Sequence, residues 1–211
     1  MTSAVPRPRR RTRPFTASLG MLAWAGVLLQ LALSLSIAPS TLQGLVAYLG
    51  YFTVLTNLFV AVALTVVVMR PGHVIAGGQV LACAATSIAL VGIAYHLLLR
   101  HVWDPQGAQW VADMVMHYAV PMLFVLWWAL CAPMPSLRWW RPFVWALYPA
   151  AYLAYALLRG LWLGSYPYPF IDVLQLGYGR VAVNALGLLL AFFALAWALV
   201  GLKALKEKAR P

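Results

Sequence analysis

Six apolar runs, at about 15–37, 44–69, 75–99, 110–132, 142–163 and 175–202, take up almost the whole chain. Each is long enough to cross a bilayer as a helix, which takes about 20 residues. Helix breakers fall between them: Pro39, Pro71, Pro105, Pro133 with Pro135, and Pro167 with Pro169. Only 9% of the residues are charged and 64% are hydrophobic, whereas soluble domains are about one quarter charged. Such a composition cannot make a water-facing surface. The expectation is an all-α integral membrane bundle of six transmembrane helices.

In a soluble protein a net charge of +11 would suggest a nucleic-acid partner. Here the cations sit at the termini and in short connections, where they orient the chain, so the partner they imply is the bilayer and no nucleic acid is expected. Arg7, Arg9, Arg10, Arg11, Arg13, Arg70, Arg138, Arg141, Lys203, Lys206, Lys208 and Arg210 fall on one side, and Arg100, Arg159 and Arg180 on the other. Twelve against three, with an even number of spans, puts both termini in the cytoplasm of a multi-pass plasma-membrane protein. Residues 1–14 and 204–211 read as basic cytoplasmic tails around a transmembrane domain over 15–203. The first run exceeds the apolar region of a signal peptide, so it is expected to be retained. Cys83 and Cys131 lie inside apolar runs without metal-ligand spacing and read as buried thiols.

With that orientation, Thr53, Thr56, Asn57, His96, Asp113, His117, Arg159, Arg180 and Asn184 all fall in the outer half or at the outer rim. Polar groups in hydrocarbon cost several kcal/mol unless they find partners or water. Nine at similar depth predict one shared polar cavity. Thr53 lies about nine residues into the second run, or ~13 Å along the axis, and Thr56 and Asn57 share its face at i+3 and i+4. His117 lies ~10 Å into the fourth run. Asp113 stands one turn above it, as a carboxylate that orients an imidazole would. Pro121, at i+4, removes a backbone hydrogen bond near His117. The connection from Arg159 to Asp172, with Tyr166-Pro167-Tyr168-Pro169-Phe170, suits a segment lying over a cavity mouth. Arg159, Arg180 and Asp172 are placed to pair with each other or to hold an anionic head group. Asn184 is one turn below Arg180. A threonine hydroxyl needs a base to act as a nucleophile, and His117 is the histidine at membrane depth.

Three segments carry a resemblance: Tyr51-Phe52-Thr53-Val54-Leu55-Thr56-Asn57, His117-Tyr118-Ala119-Val120-Pro121, and Tyr168-Pro169-Phe170-Ile171-Asp172. In this order they resemble the androgen-induced family of membrane proteins, which includes bacterial six-span relatives. Its animal members are intramembrane threonine hydrolases that cleave fatty acid esters of hydroxy fatty acids. The resemblance implies a lipid-ester substrate, Thr53 as nucleophile and His117 as base. Leu55-Thr56 also resembles the nucleophile motif, and Pro121 comes one position sooner than in the animal pattern. Asp113, Asn57, Thr56 and Asn184 become supporting residues. Arg159, Arg180, Asp172, Tyr168 and His96 become substrate-binding residues, with the arginines receiving a fatty carboxylate. No metal or cofactor is assigned. Two other readings stand beside this one: a transporter or other small-molecule-binding membrane protein, and a haem protein with His96 and His117 as axial ligands.

Overall fold

The structure, a computed structural model, describes residues 12–132 and 137–208. Arg7, Arg9, Arg10, Arg11, Pro133, Pro135 and Arg210 lie outside the described residues. Regular structure among the described residues is entirely helical. In chain order the helices are α1 (Arg13–Ile37), α2 (Thr41–Tyr48), α3 (Phe52–Met69), α4 (Gly78–Ala94), α5 (Gly107–Met114), α6 (Val120–Cys131), α7 (Arg141–Trp145), α8 (Leu147–Leu163) and α9 (Val173–Lys208). A π turn over Tyr95–Leu99 extends α4, and another over Val115–Ala119 joins α5 to α6. Five stretches are long and apolar enough to cross a membrane: Arg13–Ile37, Phe52–Met69, Gly78–Leu99, Gly107–Cys131 and Val173–Lys206.

Three of the six expected runs are interrupted, 175–202 only near its start, where Gly177 (φ 70°, ψ 160°) kinks α9. Residues 142–163 divide between the 5-residue α7 and the 17-residue α8, so neither helix reaches the length of the other five. The run 44–69 is not one helix either. Leu49 and Gly50 close a turn after α2, with the Gly50 N–H donating to the Ala47 carbonyl at 3.1 Å, and Tyr51 is extended. Glycine is the residue that most readily leaves a helix. Thr53 is therefore the second residue of α3, not a mid-span residue.

Hydrogen bonds between helix ends show which ends lie together. Arg13 donates to the Val68 carbonyl (3.3 Å), which sets the start of α1 beside the end of α3. Lys206 donates to the Ala129 carbonyl (2.9 Å), and the Trp197 indole to the Trp139 carbonyl (3.1 Å). This end of the bundle carries Arg13, Arg70, Arg138, Arg141, Lys203 and Lys206. Arg100, Arg159 and Arg180 stand toward the other end, after α4, late in α8 and early in α9. The two-ended division of charge is thus a feature of the fold.

α4 forms the centre, packing against α3, α6 and α9, while α1 lies along α3. Small residues set the close approaches. A Cβ on Gly92 would stand 3.1 Å from the His117 carbonyl oxygen, and one on Gly26 only 2.8 Å from Val115 Cγ1. Packing of this kind holds helices together where lipid removes the hydrophobic drive. Two indoles find hydroxyls: Trp127 Nε1 donates to Thr16 Oγ1 (2.8 Å) and Trp24 Nε1 to Thr65 Oγ1 (3.0 Å). Cys83 and Cys131 are free and half-buried, less enclosed than the buried thiols expected.

The tightest of these approaches lies at the end of α8. A Cβ on Gly160 would overlap the ring atoms of Tyr166. Gly160→Ala must push Tyr166 and the following loop outward, an overpacking cost of about 1–3 kcal/mol. A lowered thermal unfolding midpoint in detergent, relative to wild type, is the expected result.

Candidate functional site

A cavity of about 620 Å³ lies between α4, α8 and α9. Its walls are mostly aliphatic, including Leu90, Leu153, Leu157, Leu189 and Phe192. The start of α3, with Phe52 and Thr53, and the loop residues Tyr168, Phe170 and Ile171 contribute the rest of the wall. Of the nine polar residues expected to share one cavity, only Thr53 lines it. Arg180 is exposed, and the other seven are paired elsewhere, as a buried polar group without a partner is costly.

Thr53 sits in the first turn of α3, where backbone N–H groups lack helical acceptors. The residue before the helix, Tyr51, provides no side-chain cap. The Tyr168 hydroxyl fills that role from 115 positions along the chain, accepting the Thr53 N–H at 3.2 Å and lying 3.3 Å from Thr53 Oγ1. Tyr168 is in turn fixed by rings. It stacks on Phe170 at 5.1 Å and meets Tyr51 edge-on at 5.7 Å. Asn184 Nδ2 donates to the Phe170 carbonyl at 2.8 Å and so anchors the loop to α9. Burial pushes the Tyr168 phenol up from its ordinary value, so at neutral pH it keeps its proton for donation.

The break before α3 is held from α8. Tyr152 donates to the Gly50 carbonyl (3.0 Å) and Tyr155 to the Leu49 carbonyl (3.3 Å). Arg159 bridges the Val46 carbonyl (3.4 Å) and the Ser165 carbonyl (3.3 Å). Tyr148 pairs its hydroxyl with Thr56 Oγ1 at 3.1 Å. These four side chains form one stripe on α8, at i, i+4, i+7 and i+11. The spacing is visible in the sequence, but hydropathy counts tyrosine among the apolar residues and passes over its hydroxyl. Arg159 is thus committed to carbonyls near the C-terminus of α2, where a cation is favoured. It does not line the cavity.

A second polar group surrounds His117. Its Nδ1 lies 3.1 Å from the Asp113 carbonyl oxygen and 3.1 Å from Asp113 Oδ1. The hydrogen-bond angle is met only by the carbonyl, and Oδ1 accepts no well-angled bond. Asp113 Oδ2 accepts from the Tyr95 hydroxyl at 2.5 Å. The Tyr95 ring stacks on the imidazole, centroids 3.8 Å apart and planes 17° apart. Tyr95 lines the cavity and His117 does not, so Tyr95 covers the imidazole. Both residues stand in π turns, which recur at functional sites. Pro121 supplies a cause for one of them: it has no N–H to offer the carbonyls one turn back. The Met116 carbonyl accepts from Asn57 Nδ2 instead, at 3.1 Å, and the same amide reaches the Thr53 carbonyl at 2.9 Å. Asn57 thereby ties the Thr53 turn to the His117 turn.

The sequence pairings therefore divide. Asp113 meets His117, and Asn57 meets Thr53. Thr53 Oγ1 is bonded to Tyr168 and not to His117, and Thr56 is bonded to Tyr148. Asp172 forms no ion pair with Arg159 or Arg180 among the described residues. Its Oδ1 caps α9, accepting from the N–H groups of Leu174 (2.9 Å) and Gln175 (3.2 Å). Arg180 is exposed and outside the cavity wall. His96 is exposed with both ring nitrogens engaged, Nδ1 with the Tyr118 hydroxyl (3.2 Å) and Nε2 with Arg100 (3.0 Å). That leaves neither free as a haem ligand. Compared with protein-family models, with curated proteins and with solved structures, the chain has no significant match.

Asn57 is the structural link between the two polar groups. Asn57→Ala strands the buried Met116 carbonyl, at a cost of about 1–3 kcal/mol. The expected readout is a lower unfolding midpoint and faster amide exchange at the start of α3 and over Val115–Ala119.

Proposed function

We propose that the chain is a six-span plasma-membrane protein that binds a lipid ester in this cavity and hydrolyses it with Thr53 as nucleophile and His117 as base, as the resemblance to the androgen-induced family implies. The observation that carries the reading is the hydroxyl of Thr53, set in the wall of an apolar cavity at the first turn of a helix. In the six-span arrangement α7 and α8 together make the fifth crossing, since 141–163 extends about 34 Å at ~1.5 Å per residue. The end rich in lysine and arginine faces the cytoplasm, with both termini.

The chemistry follows from the surroundings of Thr53. The positive end of the α3 dipole favours an alkoxide or oxyanion there. The Tyr168 hydroxyl is placed to donate to a developing oxyanion. Thr53 Oγ adds to the ester carbonyl carbon, and its proton passes to His117 Nε2. Rotation of the Tyr95 side chain, which breaks its bond to Asp113, opens that nitrogen to the cavity. The alcohol leaves with the proton from His117. Water then attacks the acyl-threonine, releasing the acid and restoring the hydroxyl. A second reading, a lipid-binding protein without hydrolysis, is favoured by one observation: Thr53 Oγ1 is bonded to Tyr168 while Tyr95 covers His117.

Labelling with a fluorophosphonate probe in membranes separates the two. Wild type and Thr56→Ala take the label, Thr53→Ala takes none, and His117→Ala slows labelling by about 100-fold or more. Wild type and the three variants are first matched for monodisperse elution in detergent. Equal labelling of wild type, Thr53→Ala and His117→Ala would sink the hydrolase assignment.

A further inference from the structure

The lining of the cavity restricts the charge of what it holds. Its polar side chains are Thr53, Tyr95, Tyr152, Tyr168 and Tyr178, and no charged residue contributes to the wall. The Tyr95 hydroxyl is committed to Asp113 and that of Tyr152 to the Gly50 carbonyl. Thr53 and Tyr168 remain at the α3 end of the cavity. Their hydroxyls, 3.3 Å apart, share one hydrogen bond in which either is the donor. Two hydroxyls joined by one bond use one proton and keep one. Whichever way the bond points, one O–H is left to donate to an acceptor on a ligand. No cation lines the wall to meet a carboxylate: Arg159, which holds two backbone carbonyls, and Arg180 both lie outside it. At its other margin the cavity reaches Tyr178 and Leu186, which are 63% and 56% exposed on α9. It therefore opens along a helix that faces lipid in the six-span arrangement.

We infer that the occupant is an uncharged lipid, entering from the bilayer beside α9, whose ester carbonyl or alcohol oxygen accepts the free proton of the Thr53–Tyr168 pair, and that the site discriminates against a free fatty carboxylate. A buried carboxylate without a cation costs several kcal/mol, whereas a carbonyl needs only the one donor that is present. The inference rests on reading the cavity as a lipid site and is independent of hydrolysis.

Photo-crosslinking in lipid nanodiscs tests it. The probes are a diazirine- and alkyne-bearing palmitic acid at pH 9, its methyl ester, and the corresponding fatty alcohol, which cannot be hydrolysed. The two neutral probes label peptides of α8 and α9 from the cavity wall at least about tenfold more than the acid, a difference of ~1.4 kcal/mol. Excess unlabelled methyl palmitate removes the signal without any variant, and Ala185→Trp, which fills the cavity, removes it as well. Equal or stronger labelling by the acid overturns the inference, as does neutral-probe labelling that methyl palmitate does not compete. If Thr53 fails to react with fluorophosphonate while the neutral preference persists, hydrolysis falls and this inference stands.

Discussion

The position of Thr53 depends on how the chain satisfies its backbone where α2 gives way to α3. Inside a membrane an unpaired carbonyl costs several kcal/mol, so non-helical backbone survives only where protein groups complete it. At Val46, Leu49 and Gly50 the completing groups are Arg159, Tyr155 and Tyr152, all from one stripe of α8. Their length has a second consequence. Long side chains reaching across to α2 and α3 hold the α8 backbone away from its neighbours, and the space left beside α4 and α9 is the cavity. The break, the placement of the first turn of α3 in the cavity wall and the cavity are thus products of the same contacts.

Pro121 creates a comparable need on the other side of α3. Without its N–H the preceding turn widens, and Asn57 supplies a donor to the Met116 carbonyl. The π turn turns His117 toward Tyr95, and Asp113 is held between the two. Here the polar groups turn to one another and to backbone carbonyls, with only Asn57 Oδ1 and Asp113 Oδ1 left without a well-angled bond, which is why they leave the cavity apolar. Thr53 is the exception. Its partner, Tyr168, comes from a loop and has a hydroxyl that can exchange one partner for another.

Helix positions were largely legible from apolar run length. The runs 15–37, 75–99 and 110–132 correspond closely to Arg13–Ile37, Gly78–Leu99 and Gly107–Cys131. The break at Gly50 was not, because Leu49, Gly50 and Tyr51 are as apolar as their surroundings and a window average runs across them. The Asp113–His117 and Thr53–Asn57 relations were legible because helical spacing fixes which side chains share a face. Pairings between helices were not. Nothing in the spacing tells that Tyr168 reaches Thr53, or that Asp172 turns to its own helix instead of to an arginine. Local caps compete with distant ion pairs for the same carboxylate, and here the backbone N–H groups of α9 are closer.

A hydroxyl pair at the end of an apolar cavity has a particular energetic character. Admitting an ester carbonyl adds a hydrogen bond without breaking one, since the spare proton points to no protein acceptor. Net hydrogen bonds of this kind contribute about 0.5–1.5 kcal/mol, so most of the binding energy must come from the acyl chain against the aliphatic wall, at about 0.8 kcal/mol per methylene from water. From the bilayer that term nearly vanishes, because lipid tails are as apolar as the wall. Selectivity in such a site therefore rests on the head group and on shape, and a single correctly oriented hydroxyl proton carries more discrimination than it would in a soluble pocket. The same logic gives Tyr95 its place. Its ring completes the wall that the chain of the lipid touches, while its hydroxyl holds Asp113, so any ligand that displaces the ring also releases the carboxylate beside His117.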